Sequence, residues 1–428
     1  MYSRLRHPLA AVVGAMLLTL PWLGAYLTGS VHALGTVGTV AVSGISVLGA
    51  SFLLAWAAET AEEDVPRAFA LAVLAVLAVA PEYAVDALYA WEAGANPGSP
   101  ASTEAASLAV ANMTGANRIL IGIGWSAIAV FAIYKARSTN DPAVERRDGL
   151  LADRVNLDRD IATEILFLFA ATVYAFFVPF QNGIGWTDMA VLVGIYFTYI
   201  YFTLQAEHSH EEQIGVPAYL QSFRKHLRVP VYVGLFLFSG VLILTAVEPF
   251  AHGLEELGVM IGVPKFLMIQ WIAPLASESP ELIVVAYLVN KARSTAAFNA
   301  LISSKLNQWT LLIGTLVLVY SVSLGHYGTL PLEQKQAGEI WLTAAQSFFA
   351  LTILVNFNIS IREALALLVL FVVQLYPPFH QYEALLAFSA IYIVLGSALL
   401  VTRWQALQVL VRRVYYRING RETVSPEA

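Results

Sequence analysis

The chain has 428 residues, of which 58% are hydrophobic and only 13% are charged. An ordinary soluble domain has roughly a quarter of its residues charged, so this composition excludes a soluble protein and indicates a polytopic helical membrane protein. The absence of cysteine excludes disulfides and cysteine-ligated metal sites. The formal net charge of -6 is not informative, because the position of the charges, rather than their sum, determines membrane topology.

Apolar runs near the roughly 20 residues that a bilayer requires recur along the whole chain. We predict twelve transmembrane spans: 8–28, 34–58, 66–91, 104–134, 161–180, 186–206, 229–248, 264–290, 296–322, 339–357, 362–378 and 383–403. The first could instead be a signal peptide that ends near Val31-His32-Ala33, but its apolar run is long for that, so we predict a retained helix. The predicted fold class is an all-α polytopic membrane protein.

Lysine and arginine are concentrated on one side of the predicted membrane. With the N-terminus in the cytoplasm, nearly all of the 24 lie in cytoplasmic segments; the exceptions are Lys265 and Lys335 outside, and Arg118 and Lys305 within spans. This asymmetry predicts a multi-pass protein of the cell (inner) membrane with both termini in the cytoplasm.

The third span carries acidic residues at membrane depth. Pro81-Glu82 lies in the middle of the apolar run 71–90, and Asp86 follows one turn later. An ionisable side chain in that position is by default a functional-site hypothesis. Glu82 and Asp86 are therefore candidate cation ligands, although Asp86 could also form a structural ion pair with Arg118.

The fourth span contains Asn112, Asn117 and Arg118. The two amides could supply oxygen ligands to a cation or could be interhelical hydrogen-bond partners. Arg118 is a candidate charge-balancing residue, because it places a positive charge in the same span.

The segment Glu207 to Glu212 follows the sixth span and contains His208 and His210. It could be a regulatory metal site or, more simply, the solvated end of a helix.

The eighth span contains Ser277, Glu278 and Pro280-Glu281 inside the apolar run 266–289. We expect the proline to prevent a normal helix and to free carbonyl groups of the preceding turn. Carboxylates, hydroxyls and freed carbonyls within one turn make an oxygen-rich site suited to a hard cation. The glutamates could instead be protonated acids that bond neighbouring helices.

The ninth span adds Asn299, Ser303, Lys305 and Asn307. Three of these are candidate oxygen ligands, and Lys305 is a second charge-balancing candidate. Lys305 could form a structural salt bridge with Glu278 or serve as a built-in counter-cation.

The third and fourth spans and the eighth and ninth spans form an internal repeat. The two Pro-Glu pairs are 199 residues apart, while Asn112 and Asn299 are 187 apart, as are Arg118 and Lys305. The third span runs outward and the eighth runs inward, so the repeats have opposite orientation. Inverted repeats with broken helices are typical of secondary transporters, whose binding site lies at the midplane.

At these residues the chain resembles the sodium/calcium exchanger family, within the cation/calcium exchanger superfamily. Members of that family carry a Gly-Thr-Ser-x-Pro-Glu helix followed by a Gly-Asn-x-x-Gly-Ser-Asn helix in each repeat. The resemblance covers roughly 40–400 and implies two inverted repeats of five helices each. The domains then are an additional N-terminal helix at 1–33, repeat halves at 34–228 and 229–380, and an additional helix with a basic tail at 381–428.

The resemblance also implies the ligands. Glu82 and Glu281 match the two glutamates that bind calcium in the family, and are the predicted metal ligands. The other positions that match the family's motifs or neighbour them are Asn112, Asn299, Asn117, Ser303 and Asn307.

Several positions depart from the family pattern. Ala78 and Val79 replace hydroxyl residues in the first repeat, and Glu278 occupies a serine position in the second. These changes suggest that protons replace some or all of the sodium.

The predicted function is a secondary-active cation antiporter that moves Ca2+ across the membrane in exchange for Na+ or H+. The alternatives are a Na+/H+ antiporter and, in another class, a cation channel or sensor. No enzyme motif or nucleotide loop is present, so we predict a transporter and not an enzyme. Its expected partners are metal cations and the lipid bilayer, without nucleic acid, and we expect transported ions rather than cofactors.

Overall fold

A computed structural model describes residues 7–65, 79–181, 183–205 and 213–418. The helices in the first half of the chain are α1 (Pro8–Leu27), α2 (Gly35–Ala61), α3 (Ala80–Ala95), α4 (Pro100–Ile119), α5 (Ser126–Thr139), α6 (Ala162–Ala175), α7 (Trp186–Gln205) and α8 (Val216–Gln221). The later helices are α9 (Lys225–Ile261), α10 (Lys265–Leu267), α11 (Ala273–Asn290), α12 (Ser294–Asn307), α13 (Ile313–Leu324), α14 (Gln334–Leu354), α15 (Ile361–Gln374), α16 (Tyr382–Thr402) and α17 (Trp404–Ile418). The protein is therefore mostly helical, as predicted.

Five short strands connect loops between the helices. They are β1 (Val144–Glu145), β2 (Arg154–Asn156), β3 (Gly183–Ile184), β4 (Leu330–Pro331) and β5 (Asn358–Ser360). An antiparallel sheet has the order β1-β2-β5 and pairs Val155 with Ile359, and a second one pairs β3 with β4. Both sheets join loops to one another by backbone hydrogen bonds, and the core of the protein consists of helices.

Ten helical segments in the described part of the chain are long and apolar enough to cross a membrane. They correspond to ten of the twelve predicted spans. Of the predicted span 66–91, residues 66–78 lie outside the described residues, Val79 is in a turn, and 80–91 belong to α3. The predicted span 362–378 consists of α15, with only 14 residues, followed by a 3-10 turn at Pro377–His380.

The prediction that Pro280 prevents a normal helix is wrong. Helix α11 runs through Pro280 without interruption. Proline is tolerated in such helices when neighbouring groups and local π-helical adjustments satisfy the backbone. A π-helical segment, Met268–Ile272, immediately precedes α11.

One further π-helical segment follows the second helix of each predicted repeat. Leu120–Trp125 directly follows α4, and Gln308–Leu312 directly follows α12. They begin 188 residues apart, close to the spacing of Asn112 and Asn299. Single π-helical turns occur frequently at functional sites. The matching positions support a repeated local structure, whereas the inverted orientation of the repeats stays a prediction.

The chain divides into two compact units. Unit 1 contains Met1–Ala116, His208–Pro280 and Leu318–Gly328, and unit 2 contains Asn117–Glu207, Glu281–Val317 and Thr329–Ala428. The division passes through α4 and α11, so each of these helices contributes residues to both units. The predicted domain boundaries follow the sequence repeat and stay a prediction.

Small residues allow close packing inside each unit. In unit 1, α2 packs on α1, and a Cβ added at Gly49 would lie 2.6 Å from the carbonyl oxygen of Ala15. In unit 2, α16 packs on α14, and a Cβ at Gly396 would lie 2.7 Å from the ring of Phe348. Such approaches are typical of helices that associate within a bilayer.

Candidate functional site

Unit 1 contains a buried cluster of two carboxylates and one amide. The Nδ2 atom of Asn112 donates to Oε1 of Glu82 at 2.7 Å and to Oδ1 of Asp86 at 2.9 Å. Glu82 is 1% exposed, and Asp86 and Asn112 are fully buried. Pro81 lies in the first turn of α3, where a proline costs no helical hydrogen bond. Asp86 follows Glu82 by one turn, so both carboxylates face the same part of α4.

Ser277 on α11 completes this cluster. Its hydroxyl donates a short hydrogen bond to Oε2 of Glu82, and lies 3.2 Å from the carbonyl oxygen of Pro274. Glu82 therefore accepts from two different helices. Glu278, the next residue, is also buried, with 3% of its surface exposed.

A close helix contact holds α4 in place at this cluster. A Cβ added at Gly115 would lie 1.8 Å from the carbonyl oxygen of Gln270, in the π-helical segment before α11. Only glycine fits at that distance. Gln270 is fully buried and its Nε2 atom lies 3.4 Å from Oγ1 of Thr114. This contact fixes the level of Asn112, which lies one turn earlier on α4.

Two oxygen atoms of the cluster have no hydrogen-bond partner among the described residues: Oδ2 of Asp86 and Oδ1 of Asn112. Leaving a buried polar atom unpaired costs free energy. A hard cation accepts such oxygens as ligands. Within the described ranges no three His, Cys, Asp or Glu residues are grouped in a way that could hold a metal, so neutral oxygens must complete any cation site here.

Unit 2 contains the second predicted glutamate. Glu281 is half-buried, and its Oε2 atom accepts a hydrogen bond from Ser304 at 2.9 Å. Ser304 was not among the predicted residues; it lies one position after Ser303, which is also half-buried. Asn299 is half-buried, and its Oδ1 atom has no hydrogen-bond partner among the described residues.

The two predicted charge-balancing residues are both fully buried in unit 2. Arg118 forms a salt bridge with Glu339 at 2.5 Å, and Gln346 donates to its carbonyl oxygen at 3.2 Å. Lys305 donates to Oδ1 of Asn117 at 2.8 Å and to the carbonyl oxygen of Asn117 at 3.2 Å.

Asn307 lies close to a tyrosine. Its Nδ2 atom is 3.5 Å from the hydroxyl of Tyr196 on α7, and both side chains are buried. The structure thus brings Glu82, Asp86 and Asn112 together, and separately pairs Asn307 with a residue that the sequence did not single out.

Glu339 is the most informative residue that the sequence analysis missed. It is the first residue of the predicted span 339–357. Helix α14 begins five residues earlier, at Gln334, and Glu339 is fully buried. The unmatched buried charge of Arg118 was the signal that a carboxylate had to be sought nearby. His208 and His210 lie outside the described residues.

Comparison with known proteins adds to this geometry. A sequence model of the family described as sodium/calcium exchanger protein matches residues 34–205 and 231–379. No curated protein matches the chain.

Solved structures share the fold. The crystal structure of the H+/Ca2+ exchanger CAX is 46% identical, with a TM-score of 0.87, over 96% of this chain and 98% of that one. The structure of native YfkE is 14% identical with a TM-score of 0.59, over 86% of this chain and 100% of that one. A structure of the sodium-calcium exchanger NCX_Mj is 15% identical with a TM-score of 0.50, over 79% and 97%. The last two similarities concern the fold alone.

Proposed function

This chain belongs to the sodium/calcium exchanger family, and we propose that it exchanges calcium for protons across a cell membrane. It is a membrane transporter and not an enzyme, and the ions are its substrates rather than cofactors. As a calcium antiporter it takes Na+ or H+ as the exchanged ion. What we propose is that the exchanged ion is H+.

The observation that carries this function is the cluster of Glu82, Asp86 and Asn112. Two buried carboxylates joined through one amide cannot both keep an unbalanced charge. Either calcium or protons must balance them, and each therefore displaces the other. That competition is what an antiporter requires, because the site then carries one kind of ion in each direction.

Protons are favoured over sodium by two features. Val79 stands where the family has a hydroxyl residue, so one ligand for a sodium ion is missing. In addition, the protein 46% identical to this chain is named an H+/Ca2+ exchanger.

The finer architecture is also part of the proposal. Twelve spans, two inverted repeats of five helices each and cytoplasmic termini in the inner membrane are supported by the Lys/Arg asymmetry and the spacing of the repeated motifs. In such a plan Glu82 and Glu281 are the proposed calcium ligands. The chain has no cysteine, so Ser99→Cys should react with an impermeant thiol reagent from outside and Ser209→Cys should not. The reverse pattern contradicts the topology.

Calcium uptake by inside-out vesicles tests the function. A pH gradient alone, with sodium absent, should drive uptake, and a protonophore should abolish it. Uptake that depends strictly on a sodium gradient would show that sodium is the exchanged ion. Proton-coupled sodium uptake without calcium uptake would instead support a monovalent cation antiporter.

A further inference from the structure

Helix α17 follows the membrane-length helix α16 after a single residue, and arginines fix both of its ends. The guanidinium of Arg403, between the two helices, forms an ion pair with Glu363 in the first turn of α15. It also donates to the carbonyl oxygen of Ile353 in the last turn of α14. At the other end, Arg417 donates to the carbonyl oxygen of Asp160 at 3.0 Å, just before α6 begins. Three helix ends of unit 2 therefore hold α17.

These three helix ends lie at one face of unit 2. The loop 355–360 joins the end of α14 to the start of α15, and its strand β5 pairs with β2, which lies shortly before α6. A helix whose two ends are fixed to the same face runs along that face, and it neither crosses the membrane nor points away from it. Helix α17 has 15 residues and is therefore about 22 Å long.

The long sides of α17 differ in what they contact. Leu410 and Val414 are each 1% exposed, on the side that packs on α6. Trp404, Val411 and Tyr415 are spaced at i, i+7 and i+11, which places them along one side of a helix. They are 54%, 44% and 60% exposed, and we call them the apolar stripe. The described residues thus cover one side of α17 and leave this stripe exposed.

A third side of α17 is polar and basic. Gln405 and Arg412, seven residues apart, are both exposed, and Arg412 donates to the hydroxyl of Tyr416 at 3.2 Å. Neither Arg412 nor its neighbour Arg413 forms an ion pair with any described residue, in contrast to the arginines at the two ends of the helix. Their charges can therefore meet an anionic partner outside the chain.

The combination of an apolar side and a basic side suits a membrane surface. A helix that lies in the interface buries apolar side chains among the acyl chains and presents arginine to the headgroups, with Trp and Tyr at headgroup level. The predicted topology places this face of unit 2 in the cytoplasm, where anionic lipids attract arginines that lie close to the membrane. The apolar stripe begins at Trp404, directly after a membrane-length helix, so lipid is the partner that it meets first.

We propose that α17 is an interfacial helix that binds acidic phospholipid headgroups through Arg412 and Arg413 and inserts its apolar stripe among the upper parts of the acyl chains. The lipid leaflet, and not a second protein, occupies this side of the helix. Because α17 is fixed to α6, α14 and α15, lipid bound there stabilises the folded protein. The inference goes beyond the proposed exchange and does not depend on which ions are exchanged.

The absence of cysteine allows the depth of α17 to be measured one position at a time. Val411→Cys and Gln405→Cys replace exposed residues on its apolar and polar sides, and each can carry a small fluorophore in the full-length protein. In nanodiscs with one copy of the protein, a phosphatidylcholine with a quencher near the top of its acyl chain should quench the label at position 411 at least about 3-fold more than the label at position 405. Equal quenching, or stronger quenching at position 405, overturns the insertion.

Nanodiscs with two copies test the other occupant of the apolar stripe. A lipid-embedded label at position 411 should be protected from a water-soluble quencher equally well in discs with one copy and with two. Protection that requires the second copy would show that the stripe is an interface between copies of the chain, and would also overturn the proposal.

Melting temperature tests the contact with acidic headgroups. Adding phosphatidylglycerol to phosphatidylcholine nanodiscs should raise the melting temperature of the native protein, and the double variant Arg412→Gln with Arg413→Gln should lose about 3 °C of that rise. Each protein is compared with itself in the two lipids, so a general loss of stability cancels. The loss should disappear in about 1 M salt, which screens surface charges.

A matched control is Arg146→Gln with Arg147→Gln. It removes the same charge from an exposed turn of the β1-β2-β5 sheet at the same face, where Arg147 already contacts Glu145 at 2.8 Å. This variant should keep the whole rise. No rise in the native protein, or an equal loss in the two double variants, would show that α17 does not bind the headgroups.

Discussion

The two Pro-Glu elements of the chain have similar local sequences but different surroundings. Glu82 is 1% exposed and accepts hydrogen bonds from Asn112 and Ser277, whereas Glu281 is half-buried and accepts one from Ser304. A proline followed by a glutamate therefore does not by itself determine how strongly the carboxylate is enclosed. The neighbouring side chains do.

Each Pro-Glu element has a second acid near its glutamate. This acid follows the glutamate in the first element and precedes it in the second. Asp86, one turn after Glu82, corresponds in the predicted repeat to Val285, which is fully buried. Glu278, just before Glu281, corresponds to Val79. Each repeat thus has one extra acid, at a different flank. The first element places its second acid on the same amide as Glu82, which is the better arrangement for a divalent ion.

The largest effect on calcium flux should come from replacing the glutamate of either Pro-Glu element. Glu82→Gln and Glu281→Gln keep the shape and remove one charge, and each should lower calcium flux by at least about 100-fold, the cost of losing a charged ligand. If the enclosure of Glu82 matters, Glu82→Gln should also lose more of the calcium-dependent rise in melting temperature than Glu281→Gln.

Flux in vesicles and melting in detergent with and without calcium are the measurements for both variants. Normal flux and unchanged calcium stabilisation in both would place the ion elsewhere and end the assignment. Equal losses of stabilisation would leave the site intact but remove the difference between the two elements.

The second test compares the flanking position. Asp86→Asn should raise about 10-fold the calcium concentration at which half of the stabilisation is reached, because one of the two carboxylates that contact Asn112 is neutralised. The repeat-matched Val285→Asn buries an unpaired amide and should lower the melting temperature with or without calcium by the same amount. A calcium titration of the melting temperature distinguishes the two, and an unchanged midpoint for Asp86→Asn would exclude Asp86 as a ligand.

Hydroxyl donors should have smaller effects. Ser277→Ala removes a hydrogen bond to the buried Glu82 and should reduce flux about 5-fold, in line with about 1 kcal/mol for such a bond. Ser304→Ala should have less effect, because water can reach the half-buried Glu281. Initial rates of calcium uptake measure both, and a larger loss for Ser304→Ala would reverse the comparison.

The smallest effect concerns a carboxylate outside both elements. The hydrogen bond from Arg228, together with its charge, lowers the pKa of Asp64 below its usual value. A lowered pKa stabilises the fold above the ordinary pKa of aspartate, about 4, and this contribution disappears as the pH falls through the lowered pKa.

Asp64→Asn should therefore lower the melting temperature by about 2 °C at neutral pH and by less under strong acid. Melting curves across pH test this, and calcium flux should be unaffected by the same change. A variant whose melting temperature differs from the native one equally at every pH would show that the ion pair is not the cause.

Much of the candidate site could be predicted because its residues are costly in a membrane. Glu82 and Asp86 lie inside an apolar run, and such residues are retained there only for a purpose. Helical spacing on α3 places the two carboxylates on one face, whereas their contact with Asn112 is seen only in the structure. The helical class followed from composition alone.

Other features depend on partners that are remote in sequence. Glu339 binds Arg118 from 221 residues away, and no local pattern links them. Ser304 rather than Ser303 meets Glu281 because helix rotation selects between adjacent residues, and the sequence does not determine that rotation. The helix continues through Pro280, although a proline in an apolar run more often predicts a break.

The small sheet of β1, β2 and β5 has a practical consequence for work with this protein. The turn between β1 and β2 contains Leu150, which is 81% exposed. The strands on either side of this turn are held in the sheet by backbone hydrogen bonds. A cut in this turn would leave both new chain ends fastened to the same sheet. The polypeptide can accordingly be divided there for co-expression as two fragments, or extended there with a rigid partner for imaging, without releasing the helices on either side.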